Sequence, residues 1–302
     1  MSTSISIPVI DLQEEFPSLS QKLIEACKTW GCFRIVNHGV PAALMSEMKS
    51  VVMSLFDLPG EIKRRNTDAI AGSGYVAPNV VNPLYEAFGL YDVGSPEAVQ
   101  NFCTQLDISP LQRETIQRYS EAVHKVAMDI GRKIAQSMGV DGDCFFGWPC
   151  QFRINKYSFT TETVGSSGVQ IHTDSGFLTI LQDDENVGGL EVMEKNSGTF
   201  IAVDPMPGSL LLNLGDVATV WSNGRFYTVK HRVQCKDAVL RVSIALFMLG
   251  PKEAPVEAPS ELVDDEHPRL YAPITFEDYR KLRLSTGLRA GEALALLSPP
   301  SS

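Results

Sequence analysis

His172-Thr173-Asp174, joined further along the chain by His231, offers two imidazoles and one carboxylate. That donor set can hold Fe(II) on one face and leave positions open for a bidentate co-substrate and dioxygen. On a β-strand the first and third residues of His-X-Asp project to the same side, because the side-chain period is two. Val169-Gln170-Ile171 before the motif and Phe177-Leu178-Thr179-Ile180-Leu181 after it are β-forming runs, and His231 stands within another, Tyr227 to Val233. Alone, His-X-Asp is a weak pattern. A histidine on a half-buried strand is usually held by backbone hydrogen bonds and binds nothing.

Ten residues beyond His231, Arg241-Val242-Ser243 places a guanidinium and a hydroxyl on one strand face. An arginine fork suits a bidentate grip on a carboxylate. A purely structural arginine inside a β-core would need an internal acid as partner, and Ser243-Ile244-Ala245-Leu246-Phe247-Met248 supplies none. The two motifs together describe a metal centre beside a carboxylate-binding site.

The elements that must carry these residues follow from composition and pattern. With 302 residues, 44% apolar and 21% charged, the chain has the make-up of a globular protein with one substantial core. A net charge of −10 argues against nucleic acid and against an acidic membrane surface as partners. Met1 to Pro8 lacks the basic start and apolar core of a secretory signal, and no apolar run is long enough to span a bilayer. The cysteines at 27, 32, 103, 144, 150 and 235 form no CxxC pair and no regular framework, which predicts reduced thiols and a cytoplasmic location.

Along the chain, Ile7 to Leu12 reads as a short strand. A helix capped by Ser18 or Ser20 runs to Gly31, Cys32 to Val36 is a strand, and Pro41 opens a second helix to about Leu58. Residues 66 to 95, rich in Gly, Asn and Pro, read as an irregular segment able to cover a site. Ser109-Pro110-Leu111-Gln112 begins a long helix whose apolar stripe runs from Ile116 to Met138. From Phe152 to Leu249 short β-rich runs recur, at 152–157, 169–173, 177–182, 190–193, 199–203, 209–213, 217–220, 226–233 and 241–248. Their spacing predicts a double-sheet jelly roll. Helices over Thr275 to Leu284 and Ala290 to Leu296, and a Ser/Pro tail from 298, complete the chain. The expected organisation is one compact unit: an N-terminal segment over 1–100, then 101–302 with the long helix, a β-core at about 150–250 and C-terminal helices.

In order and spacing these residues resemble the plant-type 2-oxoglutarate- and Fe(II)-dependent dioxygenases over nearly the whole chain. The likeness is carried by Ile7 to Leu12, Trp30-Gly31-Cys32-Phe33, Asn37-His38-Gly39, the His-X-Asp motif with Leu178 to Asp183, Gly188 to Val192, Asn213-Leu214-Gly215-Asp216, and His231 with Arg241-Val242-Ser243. The resemblance implies a distorted double-stranded β-helix, a mainly β jelly-roll core with N-terminal helices and a C-terminal helix. It implies His172, Asp174 and His231 as iron ligands, and Arg241 with Ser243 as the clamp on the distal carboxylate of 2-oxoglutarate. Tyr157, within Asn155-Lys156-Tyr157, looks like a family tyrosine that reaches the co-substrate, and Asn155 is grouped with it. His38 looks structural. Dioxygen would be consumed and ascorbate would support turnover.

Ser158-Phe159 replaces the proline-rich run that many members carry after Tyr157. That variant, with Arg64 to Asp68, Asn82 to Leu90, Phe145 to Pro149 and His172 to Phe177, resembles the subgroup that oxidises the auxin indole-3-acetic acid to 2-oxindole-3-acetic acid. Such a substrate calls for an apolar, aromatic pocket with few polar groups. Phe159, Phe177, Phe247, Tyr85 and Phe88 are the candidates for it, each with an equally ordinary reading as core. Four alternatives stay open on the residues alone. The substrate could be another specialised metabolite such as an alkaloid, flavonoid or terpenoid, hydroxylated or demethylated; the oxidation could proceed without 2-oxoglutarate; the scaffold could be a non-catalytic small-molecule binder; or the three ligands could hold zinc for hydrolysis. Self-association is left undetermined.

Overall fold

Two β-sheets enclose the residues singled out above. The computed structural model describes residues 6–80 and 82–298, so the first five residues of the N-terminal stretch and the Ser/Pro tail beyond 298 lie outside it. The larger sheet has seven strands in the order β1 (Val9–Asp11), β2 (Cys32–Val36), β9 (Leu210–Leu214), β6 (Leu178–Gln182), β11 (Leu240–Met248), β4 (Cys150–Ser158), β3 (Tyr85–Tyr91). The smaller has four: β5 (Ser167–His172), β10 (His231–Gln234), β7 (Leu190–Met193), β8 (Phe200–Ala202). All pairings are antiparallel except β1 with β2. The predicted jelly roll is the fold, and it recruits β1, β2 and β3 from the N-terminal hundred residues.

Helices cover the outer face of the larger sheet. They are α1 (Phe16–Thr29), α2 (Ala42–Phe56), the single turn α3 (Gly60–Lys63), α4 (Pro96–Gln105) and α5 (Pro110–Ser137). The helix α5 starts at the expected capping box, with Ser109 and Gln112 each satisfying the other's backbone. Its stripe of Ile116, Tyr119, Val123, Ala127, Ile130 and Ile134 is buried in the main apolar cluster. Each such aliphatic side chain contributes about 1.5–3 kcal/mol by leaving water. Inside the cluster Tyr119 donates to Gln182 Oε1 at 2.7 Å, so the one phenol in the stripe is satisfied. Between the sheets a second cluster, with Tyr157, Phe159, Leu190, Val192, Leu211 and Val233, surrounds the candidate site. His38 is a turn residue as expected: its Nδ1 accepts from Val40 N–H and its Nε2 reaches the Gly208 carbonyl.

Several boundaries differ from the sequence reading. Residues 217–220 form no strand but belong to the helix α6 (Asp216–Trp221), wholly buried; a short apolar run does not reveal its period when every side is covered. Of 226–233 only His231 onward pairs as strand. The segment 66–95 contains β3, whose Glu86 to Leu90 are all buried and so show no alternation. The helix α4, capped by Ser95, was not anticipated. The first helix starts at Phe16 rather than at a serine cap, the second stops at Phe56, and the last predicted helix is a 3-10 turn over Glu292–Leu297. The helix α7 (Phe276–Thr286) lies close to its expected place.

The start of α6 is pressed against the turn after β5. Asp216 N–H donates to the Asp174 carbonyl at 2.8 Å and Val217 N–H to the Gly176 carbonyl at 3.1 Å. Gly215 permits this approach, because a Cβ there would lie 2.3 Å from Gly176 O and 2.7 Å from Asp174 O. Gly215→Ala is therefore expected to lower the midpoint of urea unfolding and to displace the 173–176 turn. An unchanged midpoint would show that the two backbones can separate freely.

Candidate active site

β5 and β10 meet so that His172 and His231 are direct antiparallel partners. Their rings lie 4.2 Å apart between centroids, tilted by 50°. Asp174 is beyond the end of β5, in the turn to β6, so His172 and Asp174 do not share one strand as the alternation argument supposed. They converge nonetheless. Asp174 Oδ1 is 3.9 Å from His172 Nε2 and 3.7 Å from His231 Nε2, and one donor atom from each residue lies within 4.8 Å of the others.

The surroundings prepare all three as ligands. His172 Nδ1 is 2.9 Å from the Gln170 carbonyl and His231 Nδ1 3.1 Å from the Val229 carbonyl. A carbonyl only accepts, so Nδ1 carries the proton and Nε2 keeps its lone pair toward the carboxylate. Burial, with the neighbouring His231, pushes the His172 imidazolium down to about 4, so the ring is neutral at physiological pH. Burial acts to raise the Asp174 carboxyl, but the two imidazoles and the Thr179 hydroxyl outweigh it and hold it below its ordinary value. Thr179 Oγ1 donates to Asp174 Oδ2 at 2.6 Å, which leaves Oδ1 aimed at the histidines. Two imidazoles that turn their Nε2 atoms toward a carboxylate of fixed orientation suit a divalent first-row metal such as Fe(II).

The middle residue of the motif is gripped from behind. Thr173 Oγ1 donates to Asp216 Oδ2 at 3.1 Å, and the fully buried Asp216 also accepts from Thr228 at 2.9 Å and from the Tyr279 phenol at 2.6 Å. Arg283 of α7 pairs with Asp216 and donates to the Thr173 carbonyl at 2.8 Å. The C-terminal helix thus holds the ligand-bearing turn through one buried ion pair, a link between distant segments that no local pattern shows.

Opposite the triad, on the inner face of the larger sheet, Arg241 pairs in register with Tyr157 and Ser243 with Asn155. Arg241 is 1% exposed, and its Nε and Nη1 have no hydrogen-bond partner among the described residues. Its guanidinium carbon lies 5.2 Å from the centre of the Tyr157 ring. Asn155 Nδ2 donates to Ser243 Oγ at 3.4 Å, and the Tyr85 phenol donates to Asn155 Oδ1 at 2.8 Å. A buried guanidinium with idle N–H groups is costly unless an anion completes it. The end of a dicarboxylate fits that vacancy of partners, as the triad fits a divalent metal.

A cavity of about 130 Å³ joins the two halves. It is lined by the triad and by Tyr85, Asn155, Tyr157, Arg241, Ser243 and Phe247. Three of the proposed aromatic contacts do not line it. Phe177 is packed among Phe145, Trp148 and Trp221, and Phe88 among Phe56, Tyr75 and Phe102, both on the helical side of the larger sheet. Phe159 stacks on Tyr157 at 5.8 Å and stands behind it. Sequence reasoning missed Arg153, Thr179, Leu181 and Asn213, which do line the cavity. Arg153 was legible, since it lies two residues before Asn155 and four before Tyr157 on one strand and so shares their face.

Residues 148–250 match the family model of the 2OG-Fe(II) oxygenase superfamily, and residues 7–90 match that of the N-terminal region of non-haem dioxygenases in morphine synthesis. A 2-oxoglutarate-dependent dioxygenase DAO from Oryza sativa subsp. indica is 55% identical, over 97% of this chain and 99% of the relative. The crystal structure of the rice dioxygenase for auxin oxidation superposes with a TM-score of 0.91 at 55% identity, covering 97% of this chain and all of that one. The binary complex of the Arabidopsis thaliana dioxygenase for auxin oxidation 1 with 2-oxoglutarate has a TM-score of 0.86 at 59% identity, covering 87% and 100%. The chain belongs to the plant 2-oxoglutarate- and Fe(II)-dependent oxygenases. It is a dioxygenase that uses iron, 2-oxoglutarate and dioxygen on a small molecule.

Arg283→Gln leaves the Asp216 carboxylate buried without its cation and is expected to destabilise the fold by about 3–5 kcal/mol. Adding Asp216→Asn should recover part of that loss in the same denaturation assay. Cobalt(II) titrated into Arg283→Gln should bind about 10-fold more weakly than to the unaltered chain. Equal affinity would mean that α7 does not order the ligand turn.

Proposed function

We propose that this enzyme converts indole-3-acetic acid to 2-oxindole-3-acetic acid. The reading rests on one observation above the rest: relatives named for auxin oxidation match 87–97% of this chain at more than half identity. The catalytic assignments belong to the same proposal. His172, Asp174 and His231 hold the iron, and Arg241, Ser243, Tyr157 and Asn155 receive 2-oxoglutarate. Tyr85 and Phe247 form part of the wall against the organic substrate.

Bound iron with 2-oxoglutarate and dioxygen supplies the oxidation: one oxygen atom goes to substrate and the other to succinate, with release of carbon dioxide. The protein's own part is position and charge. Arg241 neutralises the distal carboxylate in a buried site, where its idle N–H groups gain their partners on binding. Ser243 and Tyr157, flanking it, fix the angle of approach. The neutral His172 ring and the Thr179-anchored Asp174 require no reorganisation to serve as ligands. The six cysteines, all unpaired, support action in a reducing compartment, which we take to be the cytoplasm.

Indole-3-acetic acid added with Fe(II), ascorbate and labelled 2-oxoglutarate should release succinate in step with 2-oxindole-3-acetic acid, and His231→Ala should do neither while keeping its circular dichroism. Succinate release driven by a different plant metabolite, and not by indole-3-acetic acid, would overturn the substrate and leave the reaction class standing. Arg241→Met should lose the thermal stabilisation that 2-oxoglutarate confers. Without ligand it should be as stable as the unaltered chain or more so, because an unpaired buried charge has gone. A 2-oxoglutarate-dependent rise in melting temperature that persists in Arg241→Met would place the co-substrate elsewhere.

A further inference from the structure

A second cation, Arg153, lines the cavity apart from Arg241. Arg153 lines it on β4, in register with Ala245 of β11 and Gly89 of β3. Tyr157, beside Arg241, is four residues further along the same strand, about 13 Å at the rise of a β-strand. The two guanidiniums therefore mark two levels of one cavity, with Asn155 and Ser243 between them. At the Arg153 level the cross-strand neighbours are Ala245 and Gly89; the 73–74 backbone covers the Gly89 side, and Arg153 lines the cavity beneath it.

Nothing anionic completes Arg153 within the described residues. Its one hydrogen bond is from Nη1 to the Gly74 carbonyl at 2.6 Å, and no carboxylate lies within ion-pair distance. Gly74 belongs to a segment laid over Gly89, where a Cβ would meet Ser73 O at 1.6 Å; Asn66 exchanges two hydrogen bonds with the Gly89 backbone and seals the contact. Arg280 of α7 reaches the same segment through the Ala71 carbonyl. Burial lowers the Arg280 guanidinium from its ordinary value, the Asp68 carboxylate opposes that, and Arg153 adds to it, so the two arginines sense one another. Asp68 itself is engaged by Gly72 and Gly74 N–H groups. Arg280 faces two carboxylates, Asp68 and Glu277, so its charge is offset locally, and of the two guanidiniums it is Arg153 that lines the cavity.

We propose that Arg153 is the anchor for the carboxylate of the organic substrate, so that the enzyme selects a small aromatic acid over its neutral amide, ester or alcohol. The proposal rests on the reading of the chain as a 2-oxoglutarate-dependent oxygenase of such an acid, and it adds the group that distinguishes acid from neutral analogue. Two acids then enter one cavity, each held by its own arginine at its own level, and the charge pattern fixes which end of the substrate points away from the metal.

The test compares indole-3-acetic acid with indole-3-acetamide in the unaltered enzyme, Arg153→Gln and Arg153→Lys. Succinate release gives KM and kcat. Calorimetric titration of the acid into manganese(II)- and 2-oxoglutarate-loaded protein under nitrogen gives affinity without turnover. Arg153→Gln should raise KM and Kd for the acid by about 10- to 100-fold, the range for loss of a charge-assisted hydrogen bond. It should leave the KM for 2-oxoglutarate unchanged and bring the acid-to-amide preference to near one, and Arg153→Lys should restore part of that preference. Acid and amide weakened equally would overturn the proposal and reduce Arg153 to a pin for the 66–76 segment, as would an unchanged KM for the acid. If the unaltered enzyme responds to another acid instead, the function above fails, and the same comparison between that acid and its amide still decides the role of Arg153. A preference of the unaltered enzyme for a neutral substrate overturns it outright.

Discussion

A guanidinium sealed inside a β-sandwich without a counter-charge is the constraint on which this structure turns. Arg241 sits on β11, a strand flanked by β6 and β4 near the middle of the larger sheet, where it is buried and no acid among the described residues meets it. Left so, it subtracts from stability, and the fold carries it because the surrounding barrel is large and well packed. The arrangement makes sense as half of a binding site whose other half is a dicarboxylate. Ser243, Asn155 and Tyr157 are placed by strand register around that one cation.

The metal end is built on a different principle. His172 and His231 are brought together by antiparallel pairing, the most exact form of alignment a chain offers, because each partner is fixed by backbone hydrogen bonds. Asp174 lies outside the strand and needs its own support, which comes from Thr179, from the start of α6 and from the Arg283 to Asp216 pair. The C-terminal helix therefore braces the candidate metal site, although none of its residues lines the cavity beside the triad. Rigid strands set the two imidazoles and a braced turn sets the carboxylate.

Legibility in the sequence followed the physics of each element. Short β-runs separated by turn residues disclosed the jelly roll, and the capping box disclosed α5, since both signals are local. The strand β3 and the helix α6 were hidden because burial on all sides erases the periodicity that tells strand from helix. Aromatic identity was a poor guide to the pocket: Phe88 and Phe177 are adjacent in sequence to site residues but belong to the apolar cluster under the helices. Arg153 could have been read from alternation alone, as it shares a strand face with Asn155 and Tyr157. It was passed over because a single arginine on a strand has no motif to announce it.

By itself the sequence determined which groups are available: two imidazoles, a carboxylate and an arginine with a serine two residues on, in an order that falls within the matched oxygenase family model. Those are properties of residue type and short spacing, which survive without coordinates. Tertiary structure decided everything that depends on pairing between distant segments. It set His231 opposite His172, left Arg241 without an acid, put Arg283 behind Thr173, and stationed Arg153 at a separate level of the same cavity. Register between strands and the packing of a terminal helix are set by the whole core at once, and no window of sequence contains them.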